Sequence, residues 1–198
     1  MTENPANHAN HAIPPRHTTV EQQFRAVGAI VGSAVGDALG APFEFGVAGE
    51  YSRRFPIPVL SGNGEMIGGG GFGWAPGEFT DDTQMAVALA EALLAAGTYD
   101  PDTVWRWFRA WSTTAIDMGI ATSNALSFDD WRAVRHSRPA AGNGALMRAF
   151  VLAVAFLDVA PDELRQVVLH QSALTHDAPA AGEGAWIAVE MLRTAING

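Results

Sequence analysis

The sequence predicts an all-α protein of 198 residues. At least six segments show apolar positions at helical spacing or residues that favour a helix start, and no segment convincingly predicts a strand. The composition is 48% hydrophobic and 17% charged, which suits a compact, alanine-rich helical body. A chain of this length can bury one sizeable core, so we expect a single domain.

The charge balance argues against direct binding to nucleic acid. The formal net charge is −9, from 12 basic and 21 acidic residues, and no basic cluster could follow a phosphate backbone. Because cysteine is absent, any metal site must use oxygen or imidazole ligands. No signal peptide is apparent and the apolar runs look too short to span a bilayer, so we expect a soluble, cytoplasmic protein without membrane binding.

Residues 1–19 are predicted to be a disordered tail, and residues 20–198 the folded domain. The tail is rich in Asn, Ala, Pro and His and has little to bury. Imidazoles in a floppy segment do not by themselves make a metal site, so we assign no function to His8, His11 and His17.

A glycine-striped helix is predicted over Val20–Gly40. Its apolar residues approximate helical spacing, and glycine recurs every fourth residue, at Gly28, Gly32, Gly36 and Gly40. Each interior glycine costs about 0.8–1 kcal/mol relative to alanine, so the stripe predicts another helix packed unusually close. Asp37 interrupts the apolar run. It either forms an ion pair or a hydrogen bond to a backbone amide, or it faces a metal site.

The most informative stretch is FTDDTQM, at residues 79–85. Thr80 is a good N-cap residue, and the helix dipole favours negative charge in the following turn by about 0.3–1 kcal/mol. Asp81 and Asp82 can therefore be explained as capping groups alone. The helix behind them has almost no polar face, which predicts burial on all sides and an N-terminus that opens into a cleft. Two buried carboxylates need a cation, so the alternative is a Mg²⁺ or Mn²⁺ site at Thr80, Asp81 and Asp82.

The flanking segments have less specific patterns. Residues 46–78 are rich in glycine and proline, and a loop of this length predicts a wall or lid near the carboxylate pair. An aromatic helix over residues 101–114 is predicted to belong to the core. A short helix over residues 117–126 follows, and then a solvated acidic pair, Asp129 and Asp130.

A second candidate site lies in the sequence AGNGALMR. Gly142, Asn143 and Gly144 precede an apolar helix predicted over residues 145–156, so open backbone amides at its N-terminus would receive an anion. Arg148, one turn further, would add a positive charge. The same glycines also suit an ordinary turn.

Two helices are predicted near the end of the sequence, over residues 161–174 and 180–196. His176 lies between them. It follows a helix C-terminus, where a protonated imidazole is favoured, and this is also a position where a ligand-contacting residue would be placed.

Four motifs, taken in order, resemble the ADP-ribosylglycohydrolase family. They are GDALGAPFEF at residues 36–45, FTDDTQMA at residues 79–86, GNGALMR at residues 142–148 and SALTHD at residues 172–177. Four motifs in order are far more specific than any one of them. The resemblance covers residues 20–198 and implies an all-α, compact multi-helix bundle in which a cleft holds ADP-ribose above a pair of divalent metal ions, Mg²⁺ or Mn²⁺.

The resemblance also implies roles for individual residues. Thr80, Asp81 and Asp82 look like one half of the metal site, and Glu44 resembles an acidic residue that some members bring to the reacting centre. The implied catalytic residues are Asp81, Asp82 and Glu44, while Asp37 matches the motif without a firm role. The implied reaction is metal-dependent hydrolysis at C1 of the ribose, which releases ADP-ribose from a modified protein side chain or a related conjugate.

The second site gains implied roles in the same way. The segment Gly142, Asn143 and Gly144, with Arg148 beside it, resembles the loop that lies along the ADP-ribose phosphates. His176 resembles a substrate-side histidine.

The sequence departs from the family pattern after Asp177. Members usually bring a second acidic cluster, Asp-x-Asp-Thr, to the same metals, and no aspartate follows Asp177 here. We therefore expect a truncated domain that has little hydrolase activity alone and that self-associates through exposed core surface. The alternative is a non-catalytic ADP-ribose-binding or structural relative.

Overall fold

The computed structural model describes residues 11–13, 18–136 and 139–198. Within these ranges the all-α prediction is confirmed, because eight α-helices account for most of the chain and the one small sheet has two residues in each strand. The helices are α1 Val20–Gly40, α2 Glu50–Arg54, α3 Asp81–Ala96, α4 Pro101–Ser112, α5 Ile120–Leu126, α6 Phe150–Ala155, α7 Pro161–Ala173 and α8 Pro179–Asn197. Short 3-10 turns occupy Ala41–Phe43, Trp131–His136 and Asn143–Ala145.

Part of the predicted tail belongs to the sheet. Strand β1, His11–Ala12, pairs antiparallel with strand β2, Thr98–Tyr99, just after α3. The prediction of disorder is therefore wrong for these two residues, since composition does not show backbone pairing with a distant segment. His8 and His17 lie outside the described residues.

The core lies between α3 and the helices that surround it. On α3, Met85, Leu89 and Leu93 are buried, and they pack in one apolar cluster with Trp105 and Phe108 of α4. The prediction that the aromatic helix belongs to the core is confirmed. Helices α6, α7 and α8 complete the cluster from the other side with Leu152, Leu164, Val168 and Val189.

Helix α3 is not buried on all sides. Val87, Glu91 and Leu94 are exposed in the described structure, and Leu94 has an exposed fraction of 81%. The prediction of complete burial is wrong because an apolar composition does not show how many neighbours a helix has. The N-terminus of α3 nevertheless opens into a cavity, as described below.

Helix α1 has the predicted bounds but not the predicted packing. It begins at a capping box formed by Thr19 and Gln22. A Cβ atom added at any of its glycines would meet nothing within 4 Å, so no close-packed helix covers the glycine stripe within the described residues. Much of its apolar surface is exposed, including Phe24, with an exposed fraction of 73%.

By length and composition, Val20–Phe43 could cross a membrane, since it has 24 residues and a mean hydropathy of 1.4. The prediction that every apolar run is too short is therefore wrong by this measure. Hydrogen bonds from α3 to Asp37, however, make the same helix part of the globular fold.

Asp37 joins α1 to the N-terminus of α3. Its Oδ2 accepts hydrogen bonds from the backbone N–H groups of Thr80 at 2.9 Å and Thr83 at 3.1 Å, and from the Thr83 hydroxyl at 2.7 Å. Its Oδ1 accepts one from the Thr80 hydroxyl at 2.8 Å. Thr80 Oγ1 in turn accepts the N–H of Asp82, which confirms Thr80 as the N-cap. The hydrogen-bonding interpretation of Asp37 is thus confirmed.

We expect Asp37→Ala to destabilise the protein by about 2–5 kcal/mol, because it leaves buried donors at Thr80 and Thr83 without acceptors. The matched control is Asp129→Ala, which removes an almost fully exposed carboxylate and should change the free energy of unfolding by less than about 1 kcal/mol. Urea unfolding followed by circular dichroism measures both. Equal effects of the two substitutions would contradict this role of Asp37.

Candidate active site

A cavity of about 470 Å³ opens between the C-terminal half of α1 and the N-terminus of α3. Helix α1 forms its floor, the following turn supplies Phe43 and Glu44, and α3 supplies its first residues. The turn before α6 closes it with Asn143 and Met147. The full lining is Ser33, Gly36, Asp37, Gly40, Ala41, Phe43, Glu44, Thr80, Asp82, Thr83, Asn143 and Met147.

Four of the predicted site residues line this cavity together. They are Glu44, Thr80, Asp82 and Asn143, which come from three separate parts of the sequence. Asp81 precedes Asp82 in the first turn of α3 and is partly buried, but it does not line the cavity. The fold therefore brings the first two motifs and part of the third to one place.

Burial and repulsion between carboxylates set the charge state of the aspartate pair. Desolvation raises the pKa of Asp82 to about 7, with further increases from the charges of Asp37 and Asp81. Desolvation and the charge of Asp117 raise the pKa of Asp81 to about 6, and a backbone hydrogen bond from Gly119 opposes part of that rise. Neither carboxylate has an ordinary aspartate pKa.

Glu44 is exposed at the edge of the cavity. Desolvation raises the pKa of its carboxyl group, and the charges of Asp117 and Asp37 raise it further. The Glu44 carboxylate therefore binds a proton more readily than an ordinary glutamate does.

Asp117 is a functional candidate that the sequence does not reveal. It lies in the loop before α5, which begins at Ile120 rather than at residue 117 as predicted. Its exposed fraction is 8%, its Oδ2 has no hydrogen-bond partner among the described residues, and burial followed by the charge of Asp37 raises its pKa. A single acidic residue in a short loop has no sequence pattern to mark it. Only the fold shows that Asp117 belongs to an acidic cluster with Glu44, Asp81 and Asp82.

The acidic cluster has the negative charge and the oxygen donors that a hard cation requires, although its carboxylates do not all converge on one point. Glu44, Asp81, Asp82 and Asp117 are oxygen ligands of the kind that Mg²⁺ and Mn²⁺ prefer, and the unpartnered oxygen of Asp117 is available. Among the described residues, no three acidic or imidazole groups are close enough together to hold a metal ion. The Thr80 hydroxyl already interacts with Asp37 and with an N–H, which leaves it one lone pair.

Arg148 does not face the cavity, so the prediction that it binds substrate is wrong. It is fully buried, with Nε donating to Gln171 Oε1 at 3.0 Å and Nη2 donating to the Gln171 carbonyl and to Thr175 Oγ1. Its guanidinium also lies 4.6 Å from the Phe108 ring centroid. Burial lowers the pKa of Arg148 to about 9, so the group stays positively charged at neutral pH and holds the core together.

The segment around Asn143 is a turn rather than an open helix N-terminus. Asn143–Ala145 form a 3-10 turn without a side-chain cap, and α6 begins only at Phe150, so the helix predicted over residues 145–156 exists but begins five residues later than predicted. Gly142 and Asn143 are exposed, but Gly144 is buried. Only Asn143 of this segment lines the cavity.

His176 packs against this turn at Gly142 and Gly144 and does not line the cavity. The ring is buried and its Nδ1 is 2.8 Å from Thr175 Oγ1. A Cβ at Gly144 would lie 2.7 Å from Cε1 of this ring, so only glycine fits there. Burial, reinforced by the charge of Arg148, lowers the pKa of His176 to about 4, so the imidazole is neutral at pH 7. The structure thus favours a packing role over contact with substrate.

Comparison with known proteins identifies the family. The sequence model described as ADP-ribosylglycohydrolase matches residues 18–198. The ADP-ribosyl-(dinitrogen reductase) glycohydrolase of Rhodospirillum rubrum is 37% identical over 159 residues, which cover 78% of this chain and 52% of that protein. An ADP-ribosylarginine hydrolase of Pseudomonas putida is 33% identical over 194 residues, which cover 91% of this chain and 49% of that protein.

A solved structure described as an ADP-ribosylglycohydrolase-related protein complex has a TM-score of 0.71 and 34% identity, over 91% of this chain and 59% of that one. The chain belongs to the ADP-ribosylglycohydrolase family, as its four motifs predict. It spans about half the length of the relatives named here.

The raised pKa of Asp82 predicts how metal-free stability depends on pH. The folded carboxyl group, with its pKa of about 7, binds protons more tightly than the unfolded one, so stability falls as pH rises from about 4 to above 7. In EDTA at pH 8, we expect Asp82→Asn to be more stable than wild type by roughly 1–2 kcal/mol and to lose less stability between pH 5 and pH 8. Thermal and urea unfolding across this range measure the difference.

The control for this prediction is Asp130→Asn, which changes an exposed carboxylate outside the cluster. It should leave the slope of stability against pH as in wild type. If Asp82→Asn is less stable than wild type at pH 8 and keeps the same slope, burial and repulsion do not destabilise the ionised carboxylate of Asp82.

Proposed function

We propose that this protein hydrolyses the N-glycosidic bond between C1 of the ribose in ADP-ribose and the guanidino group of a modified arginine. The observation that carries this proposal is that Glu44 and Asp82 line one cavity at the N-terminus of α3, with the buried Asp117 near enough for its charge to act on Glu44. The family supports glycohydrolase chemistry, and the relative that acts on ADP-ribosylarginine supports the acceptor.

The carboxylates match the charge that develops in such a reaction. As the C1–N bond breaks, its electron pair leaves with the guanidino nitrogen, positive charge accumulates on the ribose ring, and nearby ionised carboxylates stabilise that charge. Water then bonds to C1 and must lose a proton. Glu44 is the suitable acceptor, because it lines the cavity, is exposed to water and has a raised pKa.

We also propose that Thr80, Asp81 and Asp82 bind a divalent ion, Mg²⁺ or Mn²⁺, with water or further ligands completing the shell. When bound, the ion would orient the ribose hydroxyls and lower the pKa of a bound water. Asp117, whose free oxygen lies in the same acidic cluster, is the additional ligand that the fold suggests.

A second candidate function is ADP-ribose binding without catalysis. It is favoured by the absence, among the described residues, of three acidic or imidazole groups converged on one point. The two functions differ in turnover but share the cavity, so binding and hydrolysis must be measured separately.

We expect Mn²⁺ to bind the wild-type chain and Asp82→Asn to weaken that binding by at least about tenfold, because a hard cation loses a charged oxygen ligand. Electron paramagnetic resonance of free Mn²⁺ measures the affinity. Asp130→Asn should bind as wild type does. If Asp82→Asn lowers stability yet leaves Mn²⁺ affinity unchanged, the aspartates are capping groups and not ligands.

We expect ADP-ribose to bind the folded, metal-loaded chain, and Asn143→Ala to weaken binding several-fold, because Asn143 is the residue of its turn that reaches the cavity. Titration calorimetry measures this. Asn124→Ala, at an exposed position on α5, is the matched control. No heat with millimolar ADP-ribose would overturn the proposed function, whereas binding without release of arginine from an ADP-ribosylated peptide would favour the non-catalytic alternative.

A further inference from the structure

Two exposed phenylalanines lie beside the cavity. Phe45 directly follows Glu44, which lines the cavity, and has an exposed fraction of 80%. Phe72 has an exposed fraction of 44%, and the two ring centroids are 6.4 Å apart, with the rings tilted at 59°. We call Phe45 and Phe72 the aromatic ledge. Its exposed faces contribute little to the core, so burial does not explain why aromatic residues stand there.

The backbone holds Phe45 in an unfavourable conformation. The Gly46 N–H donates to the Phe43 carbonyl at 3.0 Å, Glu44 has φ −58° and ψ 137°, and Phe45 has φ 61°. These values match a type II β-turn, in which the position of Phe45 ordinarily requires glycine. Among the described residues, Phe45 alone has a positive φ without being glycine. A bulky residue kept in such a conformation without burial suggests a functional role.

The glycine-rich loop fixes the second member of the ledge. Trp74 is buried, exchanges two backbone hydrogen bonds with Gly69, and has its ring centroid 5.8 Å from that of Phe72. Gly70 packs against Pro42 so closely that a Cβ would lie 3.0 Å from its Cα. The loop is therefore anchored on the segment that leads to Glu44, as a wall beside the site, and Phe72 keeps its place next to Phe45.

The ligand chemistry follows from the groups that surround the ledge. Glu44 and Asp82 line the adjacent cavity, and no arginine lines it among the described residues. A planar cation can lie on an aromatic face and pair with a carboxylate at the same time, and a guanidinium does both. An adenine ring can also stack on phenylalanine, but it is neutral and forms no ion pair with Glu44.

We infer that the aromatic ledge binds the guanidino group of the acceptor, and that Phe45 gives the site its preference for arginine over uncharged acceptors. This inference rests on the proposed function and adds a specificity-determining contact to it. Phe45 is exposed and directly follows Glu44, which lines the cavity, so an acceptor group bound beside Glu44 would lie close to its ring.

The test uses the full chain and three probes, which are ADP-ribose and two fluorescent peptides of one sequence that carry ADP-ribose on arginine or on serine. Wild type should bind the arginine peptide about tenfold more tightly than the serine peptide. Phe45→Gly should remove this preference, leave the affinities for ADP-ribose and the serine peptide within about twofold, and melt no lower than wild type, because glycine suits the turn. Anisotropy read immediately after mixing measures the peptides, and calorimetry measures ADP-ribose.

Two further variants separate the aromatic face from simple bulk. Phe45→Leu keeps apolar volume without a π face and should also lose most of the preference. Phe24→Leu, an exposed phenylalanine on α1 that does not line the cavity, should behave as wild type.

The other possible results of these binding measurements contradict either the inference about Phe45 or the proposed function. If Phe45→Gly weakens all three probes equally, the ledge binds the ADP-ribose part, for example the adenine, and the inference is wrong. If wild type binds ADP-ribose but does not prefer the arginine peptide, or if Phe45→Gly keeps the preference, the inference fails while ADP-ribose recognition stands. If wild type does not bind ADP-ribose at all, the proposed function is wrong, and so is the inference that rests on it.

Discussion

The hydrogen bonds accepted by Asp37 are the constraint on which the site depends. One carboxylate of α1 satisfies two backbone N–H groups and two hydroxyls at the start of α3, so the two helices meet in a single register. This contact between the helices places Asp82 and the turn at Glu44 in the lining of the same cavity. Thr80 accepts the Asp82 N–H and Asp37 of α1 accepts the Thr83 N–H, so the start of α3 does not need Asp81 or Asp82 as capping groups. Their own side chains are therefore available for other interactions.

The same arrangement concentrates negative charge. Asp37 is one of the charges that raise the pKa of Asp82, so the group that positions the site also makes its ionisation unfavourable. A cation or a cationic substrate would relieve this repulsion, which means that ligand binding and folding are coupled at this end of the molecule. Arg148 is a buried cation that interacts electrostatically with Asp81, but it cannot serve that purpose, because Gln171 and Thr175 hold it in the core.

The parts of the fold that were predictable are those with local signals. Thr80 before α3, Pro101 at the start of α4 and Pro161 at the start of α7 each mark a helix start in the sequence, and the structure confirms all three. The errors arise where tertiary contacts decide. Arg148 follows two glycines and looks like an anion-binding group, yet the approach of Gln171 from α7 buries it. Asp117 joins the cluster only because the loop before α5 folds back toward α3, and nothing local in the sequence indicates that.

The glycine stripe of α1 has a consequence for any molecule that enters the cavity. Alanine would fit at Gly36 and Gly40, since a Cβ there meets nothing within 4 Å, and it would favour the helix by about 0.8–1 kcal/mol at each position. Both positions line the cavity, so its floor there is helix backbone without side chains. A surface of bare peptide groups has no rotamers to rearrange. A ligand resting on it loses no side-chain entropy from the protein at that contact, and it meets the same shape each time it binds.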